Sequence, residues 1–516
     1  VVADVIVLLI IGVFLTRRDT EFYRAFFRVA RHQPVNFVFT ATLLSAMLLF
    51  SFFVATVPDE ALHRLAGRLT SFRVEKTVAA SGDLEKRLVF GLTAALFESG
   101  PGGFLQRNLI VSDVDLVSNK EDQAGNEEVS ISLRDRDLRY AVLDRSDLHR
   151  ADLTGARLMR ASLRGTDLRQ ARISCPDVGQ VLVNAVERDD ACARLTDVNL
   201  QDANLEGADL RFARMTGSNL ANANLQGADL GDVDLVGADL SGANLNRARL
   251  LRGGLIEANL LGASLQGADL GGAKLHGADF SSANLEGAQL SFVLAIATSF
   301  DSAKLDGANL TGAKLFGADL ANASLKGVDF GTAVVWSSTP TGNAETELAD
   351  FSRLKLREPS ESEIEAFTKL AAGVPSKSVR ARIGAKVARL SDQDANRNWE
   401  GSAELRTWQD QQRSAATTDA AGYRGQLSGF LVKLSCRAKF ADGAVAFGIA
   451  RRATAKDFKG DVAELSSGLT GTGCPASGRL SDELKLRLRI GAETSAATAV
   501  PVPQPVPAEA AEAAQP

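Results

Sequence analysis

Few residues in this 516-residue chain are suited to chemistry: four cysteines, four histidines, and many Asp and Glu residues that Lys and Arg balance to a net charge of −5. His32, His63, His149 and His276 are scattered with no ligand spacing among them, and no C-x-x-C pair or adjacent His completes a zinc set around the cysteines. The chain has no Walker loop, no G-x-S-x-G elbow, no dinucleotide fingerprint, and no His and Cys in a catalytic order. Its carboxylates recur at regular intervals, and a pair on a flat face lacks the pocket that raises an acid's pKa. The remaining chemistry is thiol oxidation, with Cys175 and Cys192 close in sequence and Cys436 and Cys474 together near the C-terminus. The expectation is a non-enzymatic protein without cofactor or metal. An enzymatic site in the C-terminal helices is the alternative, and a cleft with converging polar groups there would favour it.

The elements that hold these residues follow from a five-residue period. Leu133, Leu138, Leu143, Leu148, Leu153, Leu158, Leu163, Leu168 and Ile173 keep step. After a break the series resumes at Leu195 and runs to Val335, with Met215, Phe280, Ala295, Phe300 and Phe330 as variants. A small residue stands two places before the large one, as at Ala203, Ala208, Ala223 and Ala228. Five helical steps rotate a side chain by about 140°, and five strand steps put it on the opposite face, so neither element could bury this series. If each pentad is one side of a coil, every large residue and its small partner can face a common axis, which makes a solenoid. Its core ladder includes Leu205, Leu210, Leu225, Leu230, Leu240, Leu245, Leu260, Leu265, Leu270, Phe280, Phe300 and Phe330.

Stretches such as ANLEGADL, ANLQGADL and GAKLFGADL resemble the A-(D/N)-L-x-x signature of the pentapeptide-repeat family. The resemblance implies a mainly β fold, a right-handed quadrilateral β-helix with four pentads per coil and three of five positions outward. Column spacing agrees: Phe280 stacks over Phe300, and Asn204, Asn224, Asn244 and Asn284 share a column. The 38 pentads counted along the chain make a rod of about 9.5 coils and about 45 Å. Val198, Val233, Val293 and Val328 replace the small residue and are expected to force local bulges. Gly207, Gly227, Gly267, Gly287, Gly307 and Gly327 form one column, expected to be a flat, bare face. Asp209, Asp229 and Asp269 form another, expected to be a solvated face.

The break after Ile173 begins with Cys175 and ends with Cys192, which occupy the same phase of the pentad. If a short helical excursion leaves and rejoins the coil at that corner, the sulfurs can bond, closing a loop worth about 3 kcal/mol. The competing reading is four reduced, buried thiols in a cytosolic domain. Two disulfides would favour an oxidising compartment.

Upstream, VNFVFTATLLSAMLLFSFFVATV at residues 35–57 has no charged residue and exceeds the ~20 needed to span a bilayer. It reads as a transmembrane helix, with a buried globular helix as the alternative. VIVLLIIGVFL at residues 5–15 reads as the end of a second, truncated span, and no signal-peptide cleavage pattern is present. The connector carries Arg17, Arg18, Arg24, Arg28 and Arg31, against Arg64, Arg68, Arg73 and Lys76 beyond the span. The positive-inside rule therefore places the connector narrowly on the cytoplasmic side.

The expected organisation is a transmembrane hairpin at 1–58, a helical linker and cap at 59–104, the β-helix at 105–356 with an insertion at 174–194, an α-helical domain at 357–490, and a disordered Pro- and Ala-rich tail at 491–516. LEKRLVFGLTAALF at 84–97 is expected to cover the first coil, and Phe351 and Leu356 to add a last partial one. EIEAFTKLAAG, SVRARIGAKVARL, YRGQLSGFLVKLSC and DELKLRLRI read as amphipathic helices of a small bundle, with Trp399 and Trp408 as core residues.

The function expected is a membrane-tethered interaction scaffold on a bacterial inner membrane. Its repeats are periplasmic and its partner is an unidentified protein or envelope component, with no direct nucleic acid and the oligomeric state open. The family resemblance offers a cytosolic alternative, a DNA-mimicking protein that binds gyrase or another topoisomerase. Against it, residues 195–335 carry 16 acidic and nine basic residues, whereas 130–194 are slightly basic, so a uniform DNA-like charge is missing.

Overall fold

The computed structural model describes residues 109–113, 130–175, 192–342, 345–372, 377–392, 398–416, 420–437, 442–455 and 458–498. The chain divides into units Val1–Arg107 and Asn108–Pro516, and all described residues belong to the second. The expected spans at 5–15 and 35–57, the cap at 84–97, the excursion helix after Cys175 and the tail beyond 498 lie outside the described residues. Among the described residues no helix is long and apolar enough to cross a membrane.

The repeats build a β-helix whose coil is 20 residues long. Parallel bridges join Asn204 to Asn224, Asn224 to Asn244, and so on around all four sides. Each side is one pentad: the Leu225 N–H donates to the Asn244 carbonyl at 2.7 Å, and the Asn244 N–H donates back to Ala223 at 2.9 Å. A β-turn closes each corner, as where the Ala208 N–H donates to Leu205 O at 3.0 Å with Gly207 left-handed at φ +65°. That conformation costs a side-chain-bearing residue about 1–2 kcal/mol, and glycine removes the cost. We name the sides after Leu205, Leu210, Met215 and Leu220.

All twelve residues of the expected ladder are at most 1 % exposed. Phe280 and Phe300 stack with centroids 5.3 Å apart, and Phe330 stacks on Phe351 at 4.6 Å. The amide column makes a ladder of its own, Asn224 Nδ2 donating to Asn204 Oδ1 at 3.0 Å and Asn244 Nδ2 to Asn224 Oδ1 at 2.9 Å. The expected bulge at Val233 and Val293 does not occur, because the 20-residue register runs unbroken past both. Gly253 lies one coil above Val233, where an added Cβ would come within 3.5 Å of the valine, and Ala295 replaces a large residue beside Val293. Lost and gained volume compensate locally, so the backbone stays in place.

Across the break the bridges span 37 residues, as from Arg172 to Asp209, so the excess over one coil is 37 − 20 = 17. The sequence separation of Cys175 and Cys192, which are disulfide-bonded, is the same 17. The excursion therefore leaves and rejoins the coil at a single corner position.

The last coils widen into strands β1 (Lys314–Phe316), β2 (Val334–Trp336) and β3 (Lys355–Leu356), paired in parallel with Val335 opposite Leu356. The helices α1 (Glu361–Ala372), α2 (Lys377–Leu390), α3 (Ala403–Ala416), α4 (Ala420–Ser435), α5 (Ala444–Ala453), α6 (Val462–Thr470) and α7 (Asp482–Thr498) follow. α7 continues past residue 490, through an Ala-containing stretch that favours helix.

These helices do not share one core. Phe367 of α1, Ile383, Val387 and Leu390 of α2, and Trp408 of α3 join the apolar core of the coils. Leu427, Leu431, Ile449, Leu465 and Leu488 from α4–α7 form a second core, which the Cys436–Cys474 disulfide crosses. The division follows from the Met215 side, whose outward position is apolar at Val236, Ile256, Ile296, Phe316 and Trp336 and must be covered. Trp336 is covered by Trp399, with ring centroids 4.4 Å apart.

α3 closes the C-terminal end of the rod. Trp408 is fully buried edge-on to Phe330 and Phe351, and its Nε1 donates to Ser338 O at 3.1 Å. Gln411 and Gln412 donate to Thr341 O at 3.1 Å and Leu354 O at 2.8 Å. The side chains of one helix thus satisfy carbonyls that the final coil would leave unpaired.

Candidate functional site

The glycine column on the Leu205 side is where the rod binds another element. A Cβ at Gly267 would lie 1.9 Å from the Ala444 carbonyl oxygen, and one at Gly448 would lie 2.1 Å from Gly287 O. α5 therefore rests on the coils backbone to backbone, which only glycine on both surfaces permits. The column is not the bare face expected, because α5 occupies it. α5 escaped the sequence reading: AVAFGIARRA is short, and its nearest approach to the rod is through Ala444 and Gly448, with Val445 and Ile449 beside them. A glycine column opposed by Ala444 and Gly448, one helical turn apart, was the available signal.

Further along the column Gly307 meets Leu431 and Leu434 of α4, each at 3.1 Å from an added Cβ, and Gly327 meets Phe430. Toward the N-terminal end the picture changes. Among the described residues a Cβ at Gly227 would meet nothing within 4 Å, and one at Gly207 would meet only Gln170 at 3.7 Å. Between the two halves Arg247 interrupts the glycines, with its guanidinium 5.1 Å from the centre of the Phe447 ring.

Polar groups fix the register of the docked helices. Arg452, 3 % exposed, donates from Nη1 to Gly307 O at 2.9 Å and to Gly327 O at 2.6 Å. Gln289 Nε2 donates to Gly448 O at 3.0 Å, and Arg451 Nη2 to Asp269 Oδ2 at 2.6 Å. Lys459 pairs with Asp350, and Tyr423 Oη donates to Leu348 O at 3.0 Å. Burial opposes the Asp350 carboxylate, but hydrogen bonds from Lys459 and Ser352 outweigh it and hold the carboxyl below its ordinary range. Burial pushes Asp329 up, against the opposing charge of Arg452, and also raises the Tyr423 phenol.

The aspartate column is likewise not a simple solvated face. Asp209 pairs with Arg211 at 2.8 Å, Asp229 with Arg249 at 3.6 Å, and Asp269 is 4 % exposed beneath Arg451. Of the histidines, His149 contacts Asp147 at 2.7 Å, and His276 is 2 % exposed because α1 and α2 cover it. His32 and His63 lie outside the described residues. Among the described residues no group of His, Cys, Asp and Glu could hold a metal ion. Both cysteine pairs are disulfide-bonded.

A 20-residue, four-sided parallel coil with Leu and Ala inside defines a pentapeptide-repeat β-helix. The family described as pentapeptide repeats matches in eight copies, over residues 132–174, 193–232, 213–252, 255–291 and 297–331. These residues of the chain form a pentapeptide-repeat region. It is similar to HetL, a pentapeptide-repeat protein involved in heterocyst differentiation regulation in the cyanobacterium Nostoc, at 25 % identity over 49 % of this chain and 88 % of that one, TM-score 0.18. A pentapeptide-repeat protein of the Arabidopsis thaliana thylakoid lumen matches at 27 % identity over 29 % of this chain and 86 % of its own, TM-score 0.16. Full-length QnrB1, a plasmid-mediated fluoroquinolone resistance protein, matches at 15 % identity over 47 % and 98 %, TM-score 0.19. At these scores the matches add nothing to the coil geometry beyond what the bridges establish. No match was found among curated proteins.

Proposed function

We propose that this pentapeptide-repeat protein is a membrane-tethered, non-catalytic scaffold that binds a protein or cell-envelope component along its rod. The observation that carries the reading is the glycine column: it seats α5 by backbone contact at Gly267 and Gly287, while Gly207 and Gly227 of the same column stand open. A surface that accepts a helix within the chain has the shape to accept one from another.

The tether is supported by the charge-free run at residues 35–57, and a periplasmic position of the repeats by two disulfides. The cytosolic DNA-mimicking alternative is disfavoured because acidic groups of the rod are engaged by cations, as in Arg451–Asp269, Arg252–Asp232 and Lys459–Asp350. The test is sidedness. Right-side-out spheroplasts are treated with protease and with a membrane-impermeant thiol reagent, with and without reductant. Repeat cleavage without lysis, and labelling only after reduction, is the expected result. Protection until lysis, with thiols that react without reductant, would overturn the topology and restore a cytosolic partner.

A further inference from the structure

On the Met215 side His276 is the one polar residue in the outward run Val236, Ile256, His276, Ile296, Phe316 and Trp336. It is 2 % exposed, and among the described residues neither ring nitrogen has a hydrogen-bond partner. Its ring lies 5.8 Å from that of Phe367 on α1. With Gly277, Ile296, Phe367, Ile383 and Val387 it lines a cavity of about 10 Å³ between the coils, α1 and α2, at the lower limit for a single water. An imidazolium in this place would have no acceptor and little solvent.

The charged groups on the elements packed around it offer no compensation. Lys274 stands beside it and disfavours a second positive charge. Glu257 and Lys314 lie on neighbouring coils, Glu363 and Lys369 on α1, and Arg380 and Arg389 on α2. Glu363 on α1 is taken by Arg357 and Lys314, each at 2.8 Å. Burial, with Lys274 adding, pushes the His276 imidazole down to about 3.

We propose that His276 is a proton-operated latch: protonation of its ring releases α1 and α2 from the Met215 side and bares Ile296 and Phe316. Phe316 is fully buried, its ring 5.9 Å from Phe367, so release would expose an apolar strip that the neutral form hides. This inference rests on the docked position of α1 and α2 and is independent of the proposed function. The sign follows from linkage. Released, the imidazole binds its proton at its ordinary value of 6.5; docked, it resists down to about 3. The docked state is therefore favoured above 6.5 and loses up to tenfold per pH unit as the pH falls toward 3.

Hydrogen exchange of the α1 and α2 amides, corrected for intrinsic rate, is measured at pH 7.0 and 4.5 on the full chain. Glu363 stays ionised at the lower pH, because its partners hold it well below the ordinary carboxylate range. Between these two pH values, protection in α1 and α2 is expected to fall on the order of 100-fold. α5, α6 and the coils should lose no such protection, and His276→Phe should abolish the change. Equal protection at both pH values, or the same loss in His276→Phe, would overturn the latch. Should that variant fail to fold, His276→Leu serves with the same two outcomes. NMR titration of the wild-type ring provides a separate check: a His276 that titrates near 6.5 with α1 and α2 still protected would also overturn it.

Discussion

Gly448 of α5 and Gly287 of the rod meet backbone to backbone, with no room for a Cβ on Gly448: one added there would sit 2.1 Å from Gly287 O and 2.7 Å from Gly267 Cα. Atoms of two main chains cannot rotate aside as a flexible side chain would. The contact therefore requires glycine, and it governs how closely the second apolar core approaches the coils.

Gly448→Ala should lift α5 from the column and loosen the Gln289 and Arg452 hydrogen bonds. We expect a loss of about 1–3 kcal/mol from overpacking, even though alanine is favoured over glycine by about 1 kcal/mol in a helix interior. Gly227→Ala, where space is open but φ is +68°, should cost only the roughly 1–2 kcal/mol of a left-handed alanine. Urea denaturation of both variants compares them; a neutral Gly448→Ala would mean that α5 does not sit on the column.

Arg452 is a buried cation whose Nη1 serves two coil carbonyls. Arg452→Met keeps much of the stem but strands both acceptors and leaves Asp329 without its opposing charge. The expected loss is about 3–5 kcal/mol, the range for breaking a buried charge interaction by removing one partner. Thermal unfolding monitored by circular dichroism should show it as a clear drop in Tm.

Trp408→Phe preserves most of the packing against Phe330 and Phe351 but removes the donor to Ser338 O. We expect about 1–3 kcal/mol from the unsatisfied carbonyl, and about 3–5 kcal/mol for Trp408→Ala, which also opens a cavity. If the phenylalanine variant matches wild type in denaturant, water rather than the indole satisfies the end of the rod.

The two disulfides close loops of 17 and 38 residues. Chain entropy assigns them about 3 and about 4 kcal/mol. Cys436→Ala paired with Cys474→Ala should therefore destabilise α4–α7 more than the Cys175 and Cys192 pair destabilises the coils. Proteolysis of each double variant, with cleavage sites mapped by mass spectrometry, distinguishes the regions.

Glu363 gives α1 a different acid response from His276. The hydrogen bond from Arg357 lowers its pKa most, with Lys314 and the Ser360 N–H adding. A depressed carboxylate stabilises the fold fully above its free value of 4.5, and that stability is lost as the pH falls through and below that value. Glu363→Gln should leave the pH 7.0 to 4.5 change in α1 protection intact, unlike His276→Phe, and should flatten stability below pH 4.5. Stability profiles from pH 7 to 3 for the two variants check this.

Much of the rod was legible because its information is local and periodic. A Leu every fifth residue with a small residue two places before it is compatible with few backbones, and the common phase of Cys175 and Cys192 follows from counting, while the four-sided, 20-residue coil that stacks Phe280 over Phe300 was implied by the family resemblance, with which the column spacing agrees. The helices were read less evenly. α1, α2, α4 and α7 were read as amphipathic helices, although α4 and α7 are only weakly so, whereas α3, α5 and α6, as amphipathic as α1 and α2, did not stand out. α5 in particular is short, and it comes nearest the rod through Ala444 and Gly448 rather than through large side chains.

The sequence by itself determined the coil, its core and the repeated glycine corners. It could not say which glycines were covered, since Gly227 and Gly287 occupy the same place in the same repeat. Only the tertiary structure decided that α5 lies on one and leaves the other open, that Asp269 is buried under Arg451 while Asp229 is not, and that His276 is sealed beneath α1 and α2. The physical reason is distance along the chain. The coil arises between neighbours 20 residues apart that repeat, whereas Gly287 and Gly448 are joined by a single, unrepeated contact whose energy depends on the shapes of two surfaces brought together.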